Sequence, residues 1–422
     1  MRWMKSLPFY YGWVIVFVAA LVQFASAPGQ TYVVSIFIEP MITEMGWSRT
    51  LFSSMYAIAS LSAALFMIVV GRSLDRFGTR RTLTALIVLM GLATIWMSAV
   101  DSEWKLVIGF ASIRAIGQGS LGRLVGPTMI STWFIRMRGR ANSISSIGGA
   151  LSMAVFPLLV HMFIGEFGWR MSWLILGFSV WALLLLPSII LVRRNPEEIG
   201  LLPDGIPNSN RPQNASGLSM DIEVNFSMRE ALQTRALWML TLSGISMPLI
   251  MTGLMFHHVS VLDSKGLSPW FAAITMGLFG PMTLIFNVCC GFLVDKFANR
   301  FLLTAGNAIL IITMLCLMWT SDTWQAVIYI VLLSASGSLI YTTNTVVWAN
   351  YFGRLELGTI TGFNTTMMVA FSALGAIPFG LMHDQTGSYD KALLMLIAMP
   401  AGSLLCALLA TPPKKRLATL NK

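Results

Sequence analysis

The chain has 422 residues, of which 56% are hydrophobic and only 11% charged, with a formal net charge of +10. A water-soluble domain carries about 25% charged residues, so this composition excludes one and points to the bilayer, where each spanning helix needs about 20 mostly apolar residues. Runs such as 83–100, 173–192 and 302–319 are too long for barrel strands, and lipid offers the backbone no other hydrogen-bond partner, so helices are the spanning element.

Twelve apolar segments follow in order, at 11–38, 50–71, 82–100, 105–134, 140–164, 170–192, 236–262, 269–293, 301–319, 324–351, 358–382 and 390–410. The expected fold is therefore an all-α membrane protein of twelve transmembrane helices in two pseudo-symmetric six-helix bundles. Residues 1–192 form the first half and 236–422 the second. The polar stretch 193–235, with Pro196, Pro203, Pro207 and Pro212, is the linker between them. Arg2 and Lys5 ahead of a run ending in Ala25-Ser26-Ala27 imitate a cleaved leader, but its removal would delete the first helix.

The first helix carries Gln23, Ser26 and Gln30 at i, i+3 and i+7, a polar stripe on one face. Between the second and third lies a charged turn, Gly71-Arg72-Ser73-Leu74-Asp75-Arg76-Phe77-Gly78-Thr79-Arg80-Arg81. Gly71 permits close helix approach and Gly78 a tight turn. Asp75 can accept hydrogen bonds from a neighbouring helix N-terminus, where the macrodipole favours an anion. Arg76, Arg80 and Arg81 can pair with acids or lipid phosphates. In the fourth helix Arg114 and Arg123 are the charges placed well inside the bilayer, each costing about 2.5–3.5 kcal/mol on insertion scales. Nine residues at about 100° each put them on opposite faces of an α-helix, so they are not expected to meet one ligand.

The seventh helix holds His257 and His258, suited to proton transfer or to bonding a carboxylate. The charged turn then recurs 220 positions on, as Gly291-Phe292-Leu293-Val294-Asp295-Lys296-Phe297-Ala298-Asn299-Arg300. Ala298, Asn299 and Phe301 erode this copy, so Asp295 is expected to be the weaker gate residue. Gly46-Trp47-Ser48 is repeated as Gly266-Leu267-Ser268, and Gly119-Ser120-Leu121 as Gly337-Ser338-Leu339. This register makes Tyr341 in the tenth helix the partner of Arg123, with Asn344 one turn on. Asn142 and Asn364 open the fifth and eleventh helices.

Lys and Arg set the orientation. With the N-terminus in the cytoplasm, 21 of the 28 fall on that side, among them Arg2, Lys5, Arg211, Lys414, Lys415, Arg416 and Lys422. Five fall outside (Arg49, Lys105, Arg170, Lys265 and Lys391), and Arg114 and Arg123 remain within the membrane. Both termini and the linker are thus expected in the cytoplasm of a cell-membrane protein, and topology rather than nucleic acid explains the positive charge. Cys289, Cys290, Cys316 and Cys406 all lie in apolar runs without zinc spacing, as packing residues. No metal or cofactor is expected, and no nucleophile–base pair or phosphate loop suggests an enzyme. Carboxylates map to helix ends and loops: Glu44, Asp101, Glu103, Glu166, Asp263, Asp322 and Asp390 outside, and Asp75, Asp295 and Glu356 inside. A cavity with arginines and no acids suits an anion.

The paired Asp-containing turns and duplicated halves resemble the major facilitator superfamily of secondary transporters, and Arg114 with Gly117, Gln118 and Gly119 resembles its fourth-helix signature. Tyr11-Gly12-Trp13, Pro28-Gly29-Gln30-Thr31, Trp133-Phe134-Ile135-Arg136-Met137-Arg138-Gly139-Arg140-Ala141, Gly168-Trp169-Arg170, Asn195-Pro196-Glu197-Glu198 and Pro203-Asp204-Gly205 look like the oxalate/formate antiporter and monocarboxylate transporter branch. The resemblance implies alternating access, with the first, fourth, seventh and tenth helices lining the cavity. It also implies that Asp75 latches the cytoplasmic side when the protein faces outward. That branch implies a cation in the eighth helix, where 270–293 here contains no Lys or Arg.

The expected function is secondary active transport of a small organic anion, a carboxylate, with a counter-substrate or protons as coupling partner and membrane lipid as surroundings. A monomer is expected to suffice. Export of hydrophobic or neutral compounds is the alternative, favoured by Met-rich and aromatic helices. A transporter-like sensor is a further one. The expected substrate contacts are Arg123, Arg114, Gln30, Gln23, His257, His258, Tyr341 and Asn344. The expected gate comprises Gly71, Asp75, Arg76, Gly78, Arg80, Arg81, Gly291, Asp295 and Arg300.

Overall fold

The computed structural model describes residues 8–47, 49–205, 225–386 and 388–413. Arg2, Lys5, Arg211, Lys414, Lys415, Arg416 and Lys422, the linker residues Pro207 and Pro212, and Ser48 of the repeated triplet lie outside them. The described chain is helical, without strands. Nine of its helices are long and apolar enough to cross a membrane. One of these, Arg138–Ile190, is two crossings, because Gly168 leaves the helical region (φ 74°, ψ 165°) and turns the chain. Two more crossings are interrupted helices, the first and the fourth, which brings the total among the described residues to the expected twelve.

Both interruptions follow from local sequence. The first crossing runs from Gly12–Ala25 through a 3-10 turn at Ala27–Gly29 into Thr31–Met45. Pro28 sits in that turn, where its missing N–H removes a helical hydrogen bond. The fourth crossing is α-helical at Glu103–Ile113, π-helical at Arg114–Val125 and α-helical again at Gly126–Trp133. Its π segment contains Gly117, Gly119 and Gly122, each about 1 kcal/mol worse than Ala in an α-helix. The Ser120 hydroxyl follows the wider turn and donates to the carbonyl of Ala115, five residues back, at 2.8 Å. The two irregular segments meet: Gly29 packs on Gly117 so closely that a Cβ there would strike the Ile113 carbonyl and the Gly117 Cα.

The remaining crossings are centred on Arg49–Phe77, Thr79–Ser98, Arg235–Gly244 with Ser246–Asp263, Pro269–Lys296, Asn299–Met318, Thr323–Phe352, Leu357–Leu374 with Ala376–Thr386, and Tyr389–Leu396 with Ala398–Leu409. Two large apolar cores form. One gathers residues between Tyr11 and Ile199, with Trp133 and Trp173 fully buried, and the other gathers residues between Phe226 and Ala410, with Tyr329 and Trp348 fully buried. Large side chains such as Leu65, Leu158, Leu186, Leu394 and Leu405 stand exposed around them. Such an apolar exterior fits a protein whose solvent is lipid.

The Gly29–Gly117 contact yields a stability prediction. Gly29→Ala is expected to cost about 1–3 kcal/mol through overpacking against backbone that cannot move aside. Gly165→Ala, whose Cβ meets nothing within 4 Å, is expected to be neutral. Thermal unfolding of the two purified variants in one detergent checks the difference.

Candidate functional site

The charged turns build the contact between the halves. The second crossing ends at Phe77, and Gly78 (φ 80°) starts the third. Near the end of the second crossing, the Asp75 carboxylate accepts from the backbone N–H of Gly358 at 2.8 Å, the N–H of Thr359 at 2.6 Å and the Thr359 hydroxyl at 2.6 Å. These donors are the first turn of the eleventh crossing, where an α-helix leaves N–H groups without internal partners. Gly71 makes the approach possible, because a Cβ there would collide with the Gly358 carbonyl.

The repeat is mirrored across the interface. Asp295, in the eighth crossing, accepts from the N–H of Gly139 at 2.7 Å and of Arg140 at 3.2 Å, and pairs with the Arg140 Nε at 3.2 Å. Gly291 lies against the Gly139 carbonyl and Ser143. The erosion of the second turn leaves these contacts intact, because it falls elsewhere: Ala298 takes φ −64° and ψ 127° where Gly78 takes a positive φ. The expected inequality between Asp75 and Asp295 is therefore not visible in their bonding. Arg76, Arg80 and Arg81 are exposed, and Arg76 and Arg300 lie over their neighbours Phe77 and Phe301 at 5.3 and 4.6 Å. Two other arginines bridge the halves. Arg138 donates to Asn350 Oδ1 at 2.8 Å, and Arg354 donates to the Thr132 carbonyl at 3.0 Å and reaches Glu197 at 3.3 Å. The hydrogen bonds joining the halves cluster at this face, with Thr366 to the Ala64 carbonyl at 2.9 Å nearer the middle.

Above this contact Arg123 borders a small cavity of about 40 Å³, together with Pro127, Tyr341, Asn344, Thr345, Thr361, Asn364, Thr365 and Met368. Arg123 is partly buried and has no hydrogen-bond or ion-pair partner among the described residues. The buried Oδ1 atoms of Asn344 and Asn364 also lack partners, whereas the Thr345 and Thr365 hydroxyls bond carbonyls of their own helices. No carboxylate lines this cavity.

Arg114 is buried beneath Tyr56, with its guanidinium 4.3 Å from the ring centroid. It donates to the Tyr56 hydroxyl and, at 3.3 Å, to the Thr31 hydroxyl, while its Nε has no partner. It adjoins a second small cavity lined by Ser60, Ala63, Met67, Gln118, Gly119 and Val369. The two arginines thus border cavities walled by consecutive residues, Met368 and Val369, of the eleventh crossing. The opposite-face spacing assumed an α-helix, whereas the segment from Arg114 to Val125 is π-helical. With i→i+5 hydrogen bonds a turn takes in roughly 4.4 residues, so nine residues complete about two turns.

The other expected contacts divide. Tyr341 and Asn344 lie with Arg123. Gln23 is buried and donates to Ser145 at 3.1 Å; Gln30 donates to Ser26 at 3.1 Å, which donates to the Gln23 carbonyl at 2.8 Å. The stripe is therefore largely engaged within the first half. His257 packs near Phe379 and Tyr389, at 6.1 and 5.7 Å between ring centroids. His258 is buried, with Nε2 at 3.2 Å from the Ala272 carbonyl and 3.0 Å from the Thr275 hydroxyl, and stacks on Tyr329. Neither histidine lines the Arg123 cavity.

Comparison with known proteins agrees with this architecture. The family model described as Major Facilitator Superfamily matches residues 19–376. A probable sulfoacetate transporter from Cupriavidus necator is 22% identical over 404 residues, covering 88% of each chain. Monocarboxylate transporter 1 of Rattus norvegicus is 29% identical over 147 residues, 34% of this chain and 28% of the rat protein. Among solved structures, a proton:xylose symporter bound to 6-bromo-6-deoxy-D-glucose matches with a TM-score of 0.71 at 16% identity, covering 94% of each chain. At that identity the likeness concerns the fold.

Replacing both carboxylates, in Asp75→Asn with Asp295→Asn, removes charge-assisted bonds worth about 1.5–3 kcal/mol each. The double variant is expected to show a broadened or longer distance between spin labels on the two halves at this face. Double electron–electron resonance in a cysteine-free background reads it, and an unchanged distance distribution would contradict the prediction.

Proposed function

The chain belongs to the Major Facilitator Superfamily of secondary transporters, and from that premise we propose that it carries a small organic anion, a carboxylate, across the cell membrane by alternating access. Residues 1–192 and 236–422 are the two rocking halves, with the 193–235 linker between them. The face bearing the Asp75 and Asp295 contacts is cytoplasmic, together with both termini, so the structure corresponds to a state closed toward the cytoplasm. Opening that face withdraws each carboxylate from the helix N-terminus it occupies in the opposite half.

The observation that carries the reading is Arg123: a cation within the membrane, beside a cavity between the halves, with no partner among the described residues and no acid in the lining. Such a cation is costly in a bilayer unless a counter-charge joins it, and a guanidinium offers a carboxylate two parallel N–H donors. Tyr341 and the Asn344 and Asn364 amides surround the same space and supply further polar contacts. Arg114 is engaged with Tyr56 and Thr31. It acts as a second positive charge facing the eleventh crossing rather than as the primary ligand. The similarity to a probable sulfoacetate transporter over 88% of each chain supports an organic anion as cargo. With His258 bonded between helices of its own half, exchange of anions, or a proton carried on the substrate, is favoured over a histidine relay.

Uptake of organic acids into proteoliposomes tests this reading, beginning with carboxylates and a sulfonated carboxylate. Arg123→Gln is expected to lower uptake at least about tenfold, since a charge-assisted contact is worth about 1.5–3 kcal/mol. Full activity in both Arg123→Gln and Arg114→Gln, at normal expression, would overturn the anion site and favour export of neutral compounds.

A further inference from the structure

The two ends of the described linker contact the gate in matching ways. Asp204, a linker residue held at φ 59°, accepts from the backbone N–H groups of Ile135 at 3.1 Å, Arg136 at 2.9 Å and Met137 at 3.4 Å. The N–H groups of Gly139 and Arg140, just beyond, are those received by Asp295. Five of the six consecutive N–H groups from Ile135 to Arg140 are thus taken by two carboxylates, one from the linker and one from the opposite half. The second half repeats this division. Asn225 Oδ1 accepts from Arg354 at 2.8 Å and Leu355 at 3.1 Å, and Asp75 receives Gly358 and Thr359.

We infer that Asp204 and Asn225 are positioning residues of the gate. Each holds the start of a turn so that the N–H groups following it stay aimed at the carboxylate that arrives from the other half. Successive backbone N–H groups in a turn form an anion-binding concavity only while their orientation is kept. Asp204 follows closely on the sixth crossing and grips the turn between the fourth and fifth, all in the first half. Asn225 precedes the seventh crossing and grips the turn between the tenth and eleventh, all in the second. When the halves separate, Asp75 and Asp295 leave with their own halves, whereas the linker side chains stay on the turns. The receptor for each latch is therefore kept assembled through the open state, and closing does not require the backbone to be reordered.

The two positions differ in charge. Asp204 shares its turn with Asp295, where Arg140 also pairs with Asp295 at 3.2 Å, while Asn225 is neutral and the second turn carries its own carboxylate, Glu356, which accepts from the Met228 N–H at 2.7 Å. Asp204→Asn keeps an acceptor for the turn and removes the charge, and Asp204→Ala removes both.

Hydrogen–deuterium exchange of the full chain in lipid nanodiscs, read on peptides covering 135–140 and 354–359, tests the inference without any substrate, so its outcome is independent of the anion reading. Asp295→Ala is expected to speed exchange about tenfold at Gly139 and Arg140 while leaving 135–137 protected. Asp204→Ala is expected to speed both groups, and Asp204→Asn to restore protection at Gly139 and Arg140. Asn225→Ala, an independent readout should Asp204→Ala fail to fold, is expected to speed exchange at Gly358 and Thr359 as well as at Arg354 and Leu355. Acceleration confined to 135–137 in Asp204→Ala, or to 354–355 in Asn225→Ala, would reduce these residues to local caps and overturn the proposal. So would Asp204→Asn exchanging as fast as Asp204→Ala.

Discussion

A carboxylate from one half seated in the helix N-terminus of the other is the contact on which this structure turns. It occurs twice, Asp75 into the eleventh crossing and Asp295 into the fifth. The donors are backbone groups that an α-helix cannot satisfy internally, so they exist whatever side chains surround them. The strength is moderate because water competes for the same donors and for the carboxylate. Two such contacts, at about 1.5–3 kcal/mol each, are comparable with the roughly 5.5 kcal/mol that moves a two-state equilibrium from one side to the other. Gly71 and Gly291 serve the same contact by letting backbones approach.

Within the membrane a second constraint governs the cavity, the winding of the fourth crossing. An α-helix would turn Arg114 and Arg123 to opposite sides. The π-helical winding of Arg114–Val125 brings both beside the eleventh crossing. The local cause is glycine at 117, 119 and 122, combined with the broken first crossing that Gly29 lays against it. The two arginines then differ by partner rather than by direction. Arg114 is stacked on Tyr56, and Arg123 borders the cavity between the halves without a partner among the described residues.

Much of the fold was legible because its signals are local. Long apolar runs mark the crossings, and the repeated turn marks the duplication. Tyr341, picked out as the repeat counterpart of Arg123, shares its cavity. Contacts made across the interface were less visible. Nothing near Arg138 and Arg354 in the chain names Asn350, Thr132 or Glu197 as their partners. Asp204 lies in a motif that the resemblance picks out without naming its partner, and Asn225 in a polar linker, yet they bind turns some 70 and 130 residues away. Asp295 looked weakened because its turn is eroded, but the eroded positions shape the turn rather than the contact.

The sequence by itself determined what depends on residue type and short-range order: residence in lipid, helical crossings, the doubled chain, and two arginines within the membrane with the carboxylates kept to helix ends and loops. Hydrophobicity and the backbone's need for internal hydrogen bonds act segment by segment, so one chain suffices to read them. Only the tertiary structure decided which face of the fourth crossing its arginines occupy, which helix ends receive Asp75 and Asp295, and which polar side chains are engaged in packing. Those outcomes depend on close approach between segments far apart in the chain and on a helix winding that departs from the α period, and neither is written in periodicity.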